Sequence, residues 1–135
     1  MPFVLDASVT LNWAFGEEEH PTAEHALEKL RRDEAWVPSL WWFEVRNTLI
    51  VAERRGRLSE ADTATFLHGL SRLGIRTDRE PGEASILALA RQHRLSVYDA
   101  SYLELAQRQA FAIATLDKAL RRAAQECGVA ILGEM

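Results

Sequence analysis

Cysteine is almost missing from this chain. Cys127 is the only one, so no disulfide can form within a molecule. Burial and hydrogen bonding must hold the fold instead, and the cysteine usage fits a reducing compartment. Cys127 closes the helical pattern Ala123-Ala124-Gln125-Glu126-Cys127-Gly128, where a thiol reads as a small buried hydrophobe. Long apolar runs are absent too. None approaches the ~20 residues of a membrane span, and Met1-Pro2-Phe3-Val4-Leu5-Asp6 has no basic leader segment. A cytoplasmic protein without membrane contact is expected. Positive charge is scarce: 16 Lys and Arg against 20 Asp and Glu leave a formal net charge of -4. Any nucleic-acid binding must therefore use a local basic patch, because the overall field is mildly repulsive. His20, His25, His68 and His93 show no zinc-ligand spacing and read as surface helix or loop residues. There is no repeat, low-complexity tract or linker.

What is present suits one α/β domain spanning residues 1–135, a length that can bury a core unaided. Phe3 to Leu5 reads as a short strand apolar on both faces, followed by a helix around Val9 to Phe15. Gly16 with Glu17-Glu18-Glu19 predicts a loop. Pro21-Thr22 opens a second helix, with Ala23, Ala26, Leu27 and Leu30 as its apolar face. Trp36-Val37-Pro38 reads as extended, and Ser39 as the N-cap of a helix stopped by Gly56. Ser59 caps a further helix that ends at Gly74, and Ile75-Arg76-Thr77 is a short strand. Pro81 opens a helix burying Ile86, Leu87, Leu89 and Ala90, and Asp99 begins another through Ala106. Phe111 to Thr115 is a strand, Lys118 to Glu126 a helix, and Val129 to Leu132 a last strand. Strands alternating with helices imply a parallel sheet covered on both faces, with ligands bound beyond the strands' carboxyl ends.

Four acids then stand out. Asp6 closes Phe3-Val4-Leu5, Glu44 interrupts Leu40-Trp41-Trp42-Phe43, Asp99 follows Val97-Tyr98, and Asp117 ends Phe111-Ala112-Ile113-Ala114-Thr115-Leu116. A carboxylate in apolar surroundings must be paired, hydrogen-bonded or bound to a cation. Each aspartate precedes a helical stretch, so helix capping is an open alternative for all three. Glu44 has no capping role. Leu40, Glu44, Asn47 and Val51 fall on one helical face, which leaves either an acid turned inward or a stripe boundary with Trp42 or Val45 buried instead. Asp99 shares a helical side with Tyr102, Leu103 and Ala106. Acids this close would raise one another's pKa without a cation, and oxygen-only donors favour Mg²⁺ or Mn²⁺ over Zn²⁺. Ser8, Ser101 and Thr115 lie two residues from an acid, where they can orient a carboxylate or satisfy local backbone. Arg54-Arg55-Gly56-Arg57 is the densest basic cluster, open to phosphate contact or to plain helix C-terminal stabilisation. Trp13, Trp36, Trp41 and Trp42 suit core or dimer-interface packing.

The ordered segments Leu5-Asp6-Ala7-Ser8-Val9, Phe43-Glu44-Val45-Arg46-Asn47, Tyr98-Asp99-Ala100-Ser101-Tyr102-Leu103-Glu104-Leu105-Ala106 and Thr115-Leu116-Asp117 resemble a PIN-domain ribonuclease, more narrowly a VapC-type toxin of a bacterial toxin–antitoxin pair. The resemblance implies a three-layer α/β/α sandwich with a mainly parallel central sheet. It implies Mg²⁺- or Mn²⁺-dependent hydrolysis of RNA, a homodimer and a cognate VapB-type antitoxin. It places the acidic quartet on Asp6, Glu44, Asp99 and Asp117, with Ser8, Asn47, Ser101 and Thr115 in support. Leu120 stands where some relatives carry a further acid. Two other classes also put acids at strand ends. A phosphate-transferring receiver or phosphatase wants a second acid near the first, and Asp6-Ala7-Ser8 lacks it. A non-catalytic binding module would use the acids only as caps, against which Glu44 stands.

Overall fold

The computed structural model describes residues 1–16 and 20–133; the loop expected at Glu17–Glu19 lies outside the described residues. The chain order is β1 (Phe3–Leu5), α1 (Ala7–Phe15), α2 (Pro21–Lys29), β2 (Ala35–Pro38), α3 (Leu40–Arg54), α4 (Glu60–Ser71), β3 (Ile75–Asp78), α5 (Glu83–His93), α6 (Val97–Gln109), β4 (Ala112–Ala114) and α7 (Lys118–Glu126). The strands form one sheet in the order β3-β2-β1-β4. Every pair is parallel: Val4 lies opposite both Trp36 and Ile113, and Trp36 opposite Arg76. Parallel neighbours cannot be joined by tight hairpins, so each connection crosses over and carries helices onto the sheet's faces. That gives the expected α/β/α layering. It also explains why β1 alternates nothing: Phe3, Val4 and Leu5 are all fully buried.

The expected strand at Val129 to Leu132 is reduced to a single bridge, Ile113 with Ile131. Gly128 turns the chain sharply after α7 at φ 73°, and the chain turns again beyond Leu132. Only Ile113 N–H to Ala130 and Leu132 N–H to Ile113 fit between these turns. Two cap expectations divide. Ser59 and Asp62 form a reciprocal capping box. Ser39 makes no side-chain cap, because β2 runs directly into α3 and Ser39 is already helical at φ -58°, ψ -31°. Leu27, expected on the buried face of α2, is 43% exposed, whereas Ala23, Ala26 and Leu30 are buried. Trp13 and Trp41 pack inward as anticipated, each with its indole N–H satisfied, on the Ala23 carbonyl at 2.8 Å and on Thr10 Oγ1 at 3.0 Å. His93 corrects the surface reading of the histidines: its side chain is buried between α5 and α7.

Helix α6 is the hub. Ala100 through Ala106 are all buried, so it is enclosed on every side. Such a helix cannot leave a charge unpaired, and Glu104 sits in its middle. Arg108, one turn on, donates Nε to Glu104 Oε2 at 2.7 Å and Nη2 to Asp78 Oδ2 at 2.7 Å. Gly82 N–H reaches Glu104 Oε1 at 3.2 Å. The guanidinium thus joins the end of β3 to the central helix, and Glu104 joins the start of α5 to it through Gly82, with two buried carboxylates depending on Arg108. Arg108→Ala is expected to cost roughly 3 kcal/mol, because both acids lose their partner. Urea unfolding measures this; a loss under about 0.5 kcal/mol, the size of a surface ion pair, would show that the network is incidental.

Candidate active site

The chain fills the sheet from β1 outward through β2 to β3, then returns to β1's other side with β4. The reversal opens a crevice beyond the carboxyl ends of β1 and β4, where open α/β sheets bind ligands. Asp6 and Asp117 follow those two strand ends. They are tied together by hydroxyls. Ser8 Oγ donates to Asp6 Oδ2 at 2.6 Å and accepts Leu116 N–H at 3.0 Å. Thr115 Oγ1 donates to the same Asp6 oxygen at 2.7 Å and accepts Asp117 N–H at 3.0 Å. Asp6 N–H also bonds the Ala114 carbonyl at 3.0 Å. Asp6 itself is 5% exposed. Burial pushes its pKa up, the bonds from Ser8 and Thr115 oppose this, and the Asp117 charge pushes it further up.

Glu44 and Asp99 approach from the helices. The buried face of α3 carries Trp41, Val45, Leu49 and Ala52, which leaves Glu44 at its margin, half-buried. There Tyr102 Oη donates to Glu44 Oε1 at 2.6 Å, joining α6 to α3. Burial raises the Glu44 pKa, the tyrosine bond lowers it, and the charges of Asp6 and Asp99 raise it. Asp99 is raised by burial, then by Asp117 and Asp6, while a bond from Ser96 works against them. Acid charges therefore act across β1, α3, α6 and the β4–α7 turn: Asp117 on Asp6 and Asp99, Asp6 on Glu44 and Asp99, and Asp99 on Glu44. Among the described residues, the charges that shift Asp6, Glu44 and Asp99 come from other members of the quartet, and none comes from a Lys, Arg or His. Among the described residues, no three Asp, Glu, His or Cys side chains already stand close enough to hold an ion.

Capping explains one acid of the three. Asp117 Oδ1 accepts Leu120 N–H at 2.9 Å at the start of α7. Asp6 occupies the N-cap position of α1 but makes no capping bond. Asp99 lies inside α6, whose cap is Ser96, donating no more than its own N–H to Ser96 Oγ at 3.0 Å. The helix thus starts before the expected Asp99. Among the supporting residues, Ser8 and Thr115 touch an acid directly. Ser101 turns back to the Tyr98 carbonyl at 2.6 Å, the local backbone alternative. Asn47 is exposed on α3 and makes no hydrogen bond to the quartet; its turn of helix falls farther from the buried face than Glu44's. Leu120 is fully buried in the core and contributes no polar group to the crevice. Tyr102 was visible in the sequence only as a packed neighbour of Asp99; its role as the donor to Glu44 depends on how α3 crosses α6.

The PIN-domain pattern matches residues 3–126, and the chain belongs to the PIN-domain family. It is 32% identical over 124 residues to Ribonuclease VapC3 of Pyrobaculum aerophilum, covering 89% of this chain and 92% of that protein. In three dimensions it is similar to PAE2754 of Pyrobaculum aerophilum, with a TM-score of 0.72 and 21% identity over 91% of this chain and 84% of that one. It is also similar to VapBC2 of Rickettsia felis, solved bound to a DNA fragment from its promoter, with a TM-score of 0.67 and 16% identity over 90% and 92% of the two chains. At those identities the solved structures speak to the fold.

The raised carboxylates give a sign to the pH dependence. Acids with folded pKa values above their unfolded ones contribute stability that is complete below the unfolded value, ~4, and lost as pH rises through the folded value. In buffer free of divalent ions, Asp99→Asn should therefore melt above the parent at pH 8, with the difference closing toward pH 4. Parallel melting curves across that range would show that Asp99 is not held against its neighbours' charge.

Proposed function

We propose that the protein is a metal-dependent endoribonuclease acting as the toxin of a type II toxin–antitoxin pair. The observation that carries this reading is the acidic quartet at the sheet's switch point: burial and charges within the quartet raise the pKa values of Asp6, Glu44 and Asp99, and no cationic side chain is among the groups that shift them. An oxygen-only donor set with excess negative charge suits Mg²⁺ or Mn²⁺. Asp6, Asp99 and Asp117 are assigned as the main ligands, with Glu44 binding directly or through water. Because the carboxylates do not enclose a point as they stand, ion and substrate would draw them together. The 32% identity to a ribonuclease over nearly the whole chain supports RNA as the substrate.

The chain's own residues have separable tasks in this reading. Ser8 and Thr115 hold Asp6 Oδ2 in a fixed direction, so the deepest ligand loses little freedom on binding. Tyr102 holds Glu44 across the crevice, where it can orient an attacking water. Asp117 is fixed by its own cap to α7. A bound divalent ion would supply the charge that polarises water and steadies the phosphate. Hydrolysis in that geometry leaves a 5′-phosphate and a 3′-hydroxyl.

The acidic crevice would also attract an Arg or Lys of an inhibitory protein, and a VapB-type antitoxin is the partner assigned. The similarity of fold to a toxin–antitoxin complex from Klebsiella pneumoniae, TM-score 0.56 at 20% identity, is consistent with it. Trp42, Phe43 and Ile50 leave an exposed apolar face on α3 that suits a homodimer. RNA cleavage tests the reading: the parent should cut with Mg²⁺ and stop with EDTA, while folded Asp6→Asn and Asp99→Asn variants should lose about a hundredfold or more in rate. Mg²⁺ should also raise the parent's melting temperature, and less so that of Asp99→Asn. Folded variants that cut as fast as the parent would overturn the four-acid assignment.

A further inference from the structure

A second group of chemically able side chains lies at the far end of α7. Asp117 caps that helix at its start and Cys127 closes it, about 15 Å away by helical rise. Cys127 Sγ is 3.2 Å from His93 Nε2, and His93 Nδ1 is 3.0 Å from Glu126 Oε2. The order is thiol, imidazole, carboxylate: a nucleophile within reach of a base whose other nitrogen is held by an acid. With Nδ1–H given to Glu126, the Nε2 lone pair faces the sulfur. His93 is fixed for this task, since its side chain is only 4% exposed while Glu126 remains 56% exposed. Cys127 also lines an open pocket of ≈ 540 Å³ with Ala110, Phe111, Ala112, Gly128 and Val129. The sulfur has a base within reach, and its residue borders the open pocket.

We propose that Cys127, His93 and Glu126 form a reactive thiol site, separate from the acidic crevice, that is modified by small disulfides such as glutathione disulfide. The proton of Cys127 passes to His93 Nε2 as the sulfur attacks one sulfur of the disulfide. The disulfide's S–S bond breaks, a new one forms to Cys127, and the other half leaves as a thiolate. Nothing external beyond the disulfide is consumed. Burial and the Glu126 charge push the resting thiol's pKa upward, so the thiol stays protonated at rest and the base is needed at the moment of attack. The modified sulfur can no longer sit against His93, which loosens the contact between the ends of α5 and α7.

Having one cysteine makes the test unambiguous. The intact protein is incubated with glutathione disulfide at fixed pH, and the single mass addition is followed by mass spectrometry. His93→Gln and Glu126→Gln should each slow the addition, His93→Gln by roughly tenfold. A bystander carboxylate beside a thiol acts the other way: its removal would speed the addition by easing ionisation. A Glu126→Gln protein that reacts as fast as the parent or faster overturns the relay, and it does so even where His93→Gln fails to fold. RNA cleavage by Glu126→Gln should match the parent, since the acidic crevice lies at the opposite end of α7.

Discussion

A single buried carboxylate organises this molecule. Asp6 stands at the end of the most enclosed strand, and the protein has to make that position tolerable. It does so with two hydroxyls from opposite sides of one strand junction, Ser8 on α1 and Thr115 beyond β4. The same hydroxyls accept the N–H groups of Leu116 and Asp117. Satisfying the charge and fastening β1 to β4 are therefore one act. Close packing of the sheet and the position of Asp117 both follow from it, since the fourth acid hangs from the residue that solvates the first.

The rest of the cluster shows the opposite balance. Asp6, Glu44 and Asp99 are all pushed toward their neutral forms, by burial first and also by charges within the quartet, against the hydrogen bonds from Ser8, Thr115, Tyr102 and Ser96. A fold selected for stability alone would place a lysine or arginine among them. It has such a residue elsewhere: Arg108 satisfies Glu104 and Asp78 with well-formed bonds only one turn beyond the crevice-facing part of the same helix. Helix α6 thus carries one acid paired with arginine, Glu104, and another, Asp99, whose charged neighbours are acids. The contrast within a single element sets the quartet apart from the paired acids around Arg108.

Much of this was readable in the residues. Apolar runs ending in aspartate located β1 and β4, and the alternation of strands with helices fixed the parallel sheet. Glu44 inside an apolar helix stood out because mid-helix it had nothing to cap, and it lies half-buried against Tyr102. Other features were out of reach. A strand pattern at Val129 to Leu132 gave no warning that glycine-driven turns would leave one bridge. Asn47 shares a helical stripe with Glu44, yet the difference of nearly one turn carries it off the buried margin into solvent. His93 looked like a surface residue because nothing local says which way a helix's last turn faces.

The sequence by itself determined most element types and the parallel architecture, and it singled out the four acids as candidates, because each depends on short-range spacing that a chain states directly. Which acids are caps and which are free, which hydroxyls serve the charge, and that Tyr102 reaches Glu44 were decided only by the tertiary structure. Those facts depend on contacts between residues as far apart as Thr115 and Asp6 or Tyr102 and Glu44. Their geometry is set by how crossovers return to the sheet and how two helices cross, and no local pattern encodes an angle between elements.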